Sequence, residues 1–279
     1  MPKLYRTREG DVTAVDARTQ LTTVGSETAP GPLLVPTGMT HIVAVHVSHI
    51  SNMAAATGYS AFIRLEGPGL MNGPEAIAVG AGGMAVATGG NFTLKPTRIP
   101  LNLPVNVANE ILIFGEMAGT DVGLLSMNVT LEFADEAGAG DPINRTFTVE
   151  GDITSADTKT LLTTQGSVTA PSPVVPSGMK KISKIVFACT SEGLADGGQN
   201  WFLRLGGNAV LNGEQVIAMG ASGRIAVQAG SDAAPQAITV SVLENVDIEV
   251  RASDTISVAA EGAGTDTGTG HAVVTLVYA

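Results

Sequence analysis

The chain has 279 residues, of which 15% are charged and 4% aromatic, and its formal net charge is −11. That charge excludes direct wrapping of nucleic acid, which needs many Lys and Arg to displace phosphate counterions. The single cysteine excludes an internal disulfide, no run reaches the roughly 18 apolar residues of a membrane helix, and no apolar segment follows the basic start as an export signal requires, so a soluble chain is expected.

In chain order, Met1-Pro2-Lys3-Leu4-Tyr5-Arg6 reads as a basic N-terminal arm, either frayed or touching an anionic interior or a neighbouring subunit. From Thr7 onward the sequence is written twice. Thr7-Arg8-Glu9-Gly10-Asp11-Val12-Thr13 falls over Thr148-Val149-Glu150-Gly151-Asp152-Ile153-Thr154, and Leu21-Thr22-Thr23 over Leu162-Thr163-Thr164. Pro36-Thr37-Gly38-Met39 then matches Pro176-Ser177-Gly178-Met179, Phe62-Ile63-Arg64-Leu65 matches Phe202-Leu203-Arg204-Leu205, and Glu116-Met117-Ala118-Gly119-Thr120-Asp121 matches Glu261-Gly262-Ala263-Gly264-Thr265-Asp266. The offset drifts only from 141 to 140 and then to 145. A period of roughly 140 residues is too long for a solenoid unit, so each copy is expected to be a domain with its own core. The expected organisation is a first domain over 1–134 with the arm at 1–6, a breaker-rich linker over 135–147, and a second domain over 148–279.

Helix periodicity is absent, and short apolar or alternating runs bounded by Gly and Pro recur. In the first copy they lie near 18–23, 41–49, 61–66, 75–79, 93–99, 102–107, 110–115 and 126–133. Their counterparts lie near 159–164, 181–190, 200–206, 215–219, 237–243, 246–251, 255–260 and 272–278. This predicts an all-β chain of two tandem eight-stranded jelly-roll β-sandwich domains arising from an internal duplication. Alternation places Ala61, Ile63 and Leu65 on one face of a strand and Phe62 and Arg64 on the other; Trp201, Leu203 and Leu205 oppose Phe202 and Arg204 in the same way. An unpaired Arg in a dry core costs several kcal/mol, so the aliphatic side is the core side. Phe62, Arg64, Phe202 and Arg204 are therefore the candidate interface residues, the alternative being a half-covered face with snorkelling arginines. On this reading Phe62→Ala and Phe202→Ala leave the fold intact and weaken oligomers.

Catalytic constellations are missing. The histidines His41, His46, His49 and His271 include no His-x-His pair, and Lys181, Val186 and Cys189 stand opposite the first three in the second copy, so no metal site and no cofactor are expected. Cys189 closes an apolar run and reads as a small buried hydrophobe. The duplicated loop from Glu116 through Asp121 to Gly123, and from Glu261 through Asp266 to Gly268, is either a tight turn or a calcium ligand set. Asn91, Asn128 and Asn144 head glycosylation sequons. No catalytic residue is assigned and no enzyme is expected.

Two fused eight-stranded β-domains in an acidic chain, with Gly/Pro-rich loops and an apolar closing strand such as Met127–Phe133 or Ala272–Tyr278, resemble the double jelly-roll major capsid proteins of tailless icosahedral viruses, the adenovirus-type lineage. The resemblance implies a capsid protein of the virion, assembling with itself as a homotrimeric pseudo-hexameric block and then as a lattice, with minor capsid or membrane proteins as further partners and no sequence-specific nucleic acid binding. Members are usually longer, with tower-forming loops and a helix after a middle strand, features not evident here. A surface-layer or adhesive β-sandwich protein, and a degenerate bicupin or carbohydrate-binding module, stand as alternatives.

Overall fold

The computed structural model describes residues 3–52, 58–83, 91–119, 124–135, 144–153, 155, 157–168, 171–191, 198–223, 237–264 and 270–279. Every regular element among them is a strand. The first copy supplies β1 (Lys3–Val12), β2 (Thr19–Gln20), β3 (His41–Asn52), β4 (Gly58–Glu66), β5 (Glu75–Gly83), β6 (Asn91–Pro104), β7 (Leu112–Gly119) and β8 (Leu124–Ala134). The second supplies β9 (Arg145–Ile153), β10 (Thr160–Leu161), β11 (Lys181–Ser191), β12 (Gly198–Gly206), β13 (Gln215–Gly223), β14 (Ala237–Glu249), β15 (Ser257–Gly264) and β16 (Gly270–Tyr278).

Each copy folds into two four-stranded antiparallel sheets. The long sheets run β1-β8-β3-β6 and β9-β16-β11-β14, and the short sheets run β2-β7-β4-β5 and β10-β15-β12-β13. The first strand of a copy pairs with its last, the second with the seventh, the third with the sixth and the fourth with the fifth. Each copy is thus one long antiparallel hairpin rolled over itself, a jelly roll. Ala61, Ile63 and Leu65, and Trp201, Leu203 and Leu205, are buried between their sheets, as alternation requires.

Two elements of each copy differ from the sequence reading, and the differences offset in the count. The basic start is no free arm: Lys3–Val12 pairs with β8 along its whole length, from Lys3 opposite Ala134 to Val12 opposite Leu125. Lys3 also meets Glu132 at 2.5 Å. Likewise Arg145, Thr146 and Phe147, assigned to the linker, begin β9 and pair with β16. Both are edge strands, where charged residues guard an open row of backbone groups and mask the hydrophobic signal. In the opposite sense, the two runs near 93–99 and 102–107 are one strand, β6, and those near 237–243 and 246–251 run together in β14. Pro100 sits within β6 because β6 is an edge strand and its missing N–H costs no ladder bond. In β14 the break reflects Asn245 and Asp247, both at positive φ, beside a shift in register against β11.

The two jelly rolls pack side by side. Strand β5, at the edge of the first short sheet, lies across β11, β14, β9 and β16 of the second long sheet. Val186, Ala188, Val273 and Val277 on the outer face of that sheet join the hydrophobic core of the first copy. The second long sheet is therefore buried on both faces, and its central strands read as continuous apolar runs, Ile185-Val186-Phe187-Ala188-Cys189 and Ala272-Val273-Val274. Their counterparts in β3 and β8 alternate instead, with His46, Ser48, Asn128 and Glu132 in the places of Val186, Ala188, Val273 and Val277. Exchanging single residues between these positions tests the asymmetry. Val273→Asn should cost about 1–3 kcal/mol by placing an amide in the dry junction, while Asn128→Val should stay within about 0.5 kcal/mol, both read from urea unfolding midpoints.

Candidate functional site: the junction and its open counterparts

The four candidate interface residues fall into unlike surroundings. Phe62 is wholly buried and Arg64 nearly so, against the Gln165–Val168 turn of the second copy. The Arg64 guanidinium stacks 5.5 Å from the Phe62 ring centre and donates to Glu116 at 2.5 Å. It also donates to the Gln165 side chain at 3.1 Å and to the Gln165 carbonyl at 2.6 Å. Glu116, fully buried, accepts in addition the backbone N–H of Ser167. Gly166 closes this contact: its φ is +54°, and a Cβ there would run into the Phe62 ring and the Glu116 carboxylate. Phe62 therefore belongs to the folding of the chain itself, and Phe62→Ala removes core packing, contrary to the expectation that it leaves the fold intact.

A second set of bonds ties β5 to β9 and β16. The Ala78 N–H donates to Thr275 Oγ1 at 2.7 Å, Thr275 and Thr148 share a hydroxyl bond at 2.7 Å, and Thr148 donates to the Ala76 carbonyl at 2.5 Å. Because Thr148 donates to the carbonyl, Thr275 must donate to Thr148, and every hydroxyl proton in the relay is placed. Glu75 accepts from the N–H and hydroxyl of Thr146 at 2.8 and 2.6 Å and lies 3.0 Å from Arg145. Burial pushes the Glu75 carboxyl up to about 7, against the opposing pull of these partners.

At one end of the junction a polar recess of about 400 Å³ is lined by Asp16 and Gly119 of the first copy and by Glu150, Asp152, Thr164, Gly166 and His271 of the second. Here the buried His271 imidazole meets Glu150 at 2.9 Å and Asp152 at 2.7 Å. Burial alone would lower its pKa, but hydrogen bonds and charge from Asp152 and Glu150 outweigh burial and raise it to about 9. Burial and the nearby Glu150 and Glu116 charges hold the Asp16 carboxyl above its ordinary range. In the first copy Ser126 takes the place of His271 and hydrogen-bonds Asp11.

Phe202 and Arg204 occupy the matching face of the second short sheet, which no strand of the first copy covers among the described residues. The Arg204 side chain is 28% exposed against 7% for Arg64, and pairs with Glu261 at 2.5 Å and Glu214 at 3.1 Å. On the neighbouring edge strand, Val216, Ala218 and Gly220 are exposed where Ala76, Ala78 and Gly80 are buried. The outer face of the first long sheet is also open. It keeps the hydroxyl pair, Thr7 with Thr130 at 2.8 Å, and carries a cluster in which Lys3, Arg98 and His46 converge on Glu132. Burial opposes ionisation of Glu132, yet its bonds to Lys3, Arg98 and His46 prevail and bring its pKa down to about 2.

Among the described residues no group of three or more His, Cys, Asp or Glu side chains is placed to hold a metal. His46 faces outward to Glu132, whereas His49 points inward, 3.4 Å from the Tyr59 hydroxyl, with burial depressing its pKa to about 3. Cys189 is buried, and burial pushes its thiol pKa upward. Asp121 and Asp266 of the proposed cation loops lie outside the described residues, while Glu116 and Glu261 are engaged by Arg64 and Arg204. Asn144 is buried, so its sequon is closed in the folded chain; Asn128 is exposed on β8. Sequence reasoning missed Glu75, Gln165, Ser167 and His271. The signal was the doubly apolar β11 and β16, which require a cover.

No protein-family model matches the chain, and no curated protein matches it. Among solved structures, it is similar to a chain of an archaeal virus described by its triple jelly roll fold and turret assembly, at 11% identity over 98% of this chain and 56% of that one, with a TM-score of 0.24. It is similar also to Broad Bean Stain Virus, at 9% identity over 99% of this chain and 88% of that one, with a TM-score of 0.33. A third is N-glycanase F (PNGase F), at 9% identity over 98% and 95%, with a TM-score of 0.39. The chain spans a little over half the length of the archaeal-virus chains it matches. These are likenesses of fold and no more.

Two measurements check the junction. His271 has a folded pKa raised to about 9 from 6.5, so its stabilisation is complete below pH 6.5 and is lost as pH rises through 9. His271→Gln should lower stability at pH 7 by about 3–5 kcal/mol, leaving Glu150 uncompensated, and should flatten the fall in melting temperature between pH 6.5 and 9. Gly25 and Gly166 share a φ of +54°, but only Gly166 is crowded. Gly25→Ala should therefore cost about 1–2 kcal/mol of left-handed strain, and Gly166→Ala clearly more, in the same denaturation assay.

Proposed function

We propose that this chain is the structural subunit of a virus shell, a major capsid protein whose homotrimers present six jelly rolls as a pseudo-hexagonal block. The observation that carries the reading is lateral fusion: the two jelly rolls of one chain join through their outer sheet faces, and the counterpart faces remain open at both flanks. Such a chain is a two-unit segment of a ring, and duplication lets one gene approximate sixfold packing while divergence allows non-identical contacts. The work of the protein is then assembly, with no reaction catalysed, and its place is the virion. Its net charge of −11 would require basic minor proteins or a membrane layer between the shell and packaged nucleic acid. The narrower tie to the adenovirus-type lineage rests on resemblance in architecture.

Electron microscopy and sedimentation of the purified chain over a range of concentration and salt test the reading. Blocks of three chains with a hexagonal outline are expected. A species that stays monomeric under every condition would overturn it.

A further inference from the structure

We propose that the open outer face of the second short sheet and the open outer face of the first long sheet are the two sides of one head-to-tail contact between neighbouring molecules of this chain. The inference rests on the assembly reading above and adds the surfaces and their register. The chain already holds a worked instance of the contact, in which β4, β5 and β7 seat on β9, β11, β16 and the Gln165–Val168 turn. Because the sequence is duplicated, every group in that junction has a counterpart, and the counterparts divide between the two open faces.

Part of the directional set is kept, while Gln165, Glu75, Thr146 and His271 give way to Val24, Gln215, Tyr5 and Ser126. Phe202, Arg204 and Glu261 repeat Phe62, Arg64 and Glu116, and Thr7 and Thr130 repeat Thr148 and Thr275. Gly25 and Ser26 repeat Gly166 and Ser167 in the same turn, with the same φ of +54° at the glycine. A Cβ on Gly166 would meet Phe62, yet one on Gly25 would meet nothing within 4 Å, so the space that receives an aromatic ring in the chain stands free here. The register follows. Phe202 of one molecule covers Gly25 of the next, Arg204 donates to the Val24 carbonyl, Glu261 accepts the Ser26 N–H, and the Ala218 N–H donates to Thr130. Val216, 52% exposed, and Tyr5, 51% exposed, repeat Ala76 and Thr146 and come together in the same docking.

The apolar filling is replaced as well. Where the closed junction has Val186, Ala188, Val273 and Val277, the open face has His46, Ser48, Asn128 and Glu132. A face that closes only after folding must first be soluble, and associating surfaces of that kind are more polar than permanent ones. Retained docking bonds on a hydrophilic ground are what such a face requires. The contact is heterologous, and three repeats close the ring of the proposed block.

The test is disulfide trapping. Ser26→Cys and Glu261→Cys are combined in the full chain and oxidised; native Cys189 is buried and does not compete. The double variant should give covalent multimers up to three chains on non-reducing gels, and each single variant should give none. Arg204→Glu should weaken association at least tenfold in sedimentation. If three-chain blocks form but neither the cross-link nor the Arg204→Glu effect is seen, the proposed surfaces are wrong and the assembly reading stands. Cross-linked open filaments would support the contact and overturn the capsid block. Chains that never associate would overturn both.

Discussion

The outer face of the second long sheet cannot be left in water, and the arrangement of the molecule follows from that constraint. Val186, Ala188, Val273 and Val277 turn away from the core of their own jelly roll and would form a contiguous apolar patch if bare. Covering them is worth about 25 cal/mol for each Å² of apolar surface removed from water. The cover is β5, whose outward residues Ala76 and Ala78 are small enough to bring the two sheets into close contact. A larger side chain at either place would hold the jelly rolls apart and break the relay from Ala78 through Thr275 and Thr148 to Ala76.

Apolar contact supplies the drive but no register, since one valine slides past another at little cost. Register comes from the polar groups set into it. Arg64 is hydrogen-bonded to Glu116 and Gln165 and His271 to Asp152, with Glu150 in ion-pair contact, all in low-dielectric surroundings. Such pairs add little net stability relative to apolar replacements, but breaking one strands a charge. They select one orientation of the two jelly rolls from the many that would bury the same area. At the recess the balance is close: Asp16, Glu116, Glu150 and Asp152 gather there, and protonated His271 lies in contact with Glu150 and Asp152.

How much of this was legible in the sequence depended on the physical signal. The core side of β4 and β12 was readable because alternation is strict and an arginine fixes which face is out. The jelly-roll class was readable from the count and spacing of strands, although β1 and β9 were passed over and β6 and β14 were each divided. Edge strands carry charge, bulges and proline for reasons unrelated to burial, so patterns of hydrophobicity fail there first. The junction was only half visible. Phe62 and Arg64 were identified as outward-facing, yet nothing local says that the cover is the other half of the same chain. Glu75, Ser167 and Gln165 are ordinary polar residues in sequence and acquire their roles from contacts about 50 to 100 residues away.

Duplication followed by divergence gives the chain a direction. Both copies fold alike, so both began with the same two outer faces, one able to cover and one able to be covered. Inside the chain that pair is closed, and the covered face has become apolar, which no longer exposes it to solvent. At the flanks the pair is open, and the corresponding strands β3 and β8 have kept a polar outer row. The asymmetry has a thermodynamic reason: a permanent contact is free to become dry, because it is never exposed after folding, whereas a face that waits for a partner must not aggregate in the meantime. The position of His271 follows the same logic. Inside the junction His271 is buried beside Glu150 and Asp152 and offsets their charge, whereas in the first copy, where the face is open and the equivalent Glu9 and Asp11 reach solvent, the smaller uncharged Ser126 stands in its place.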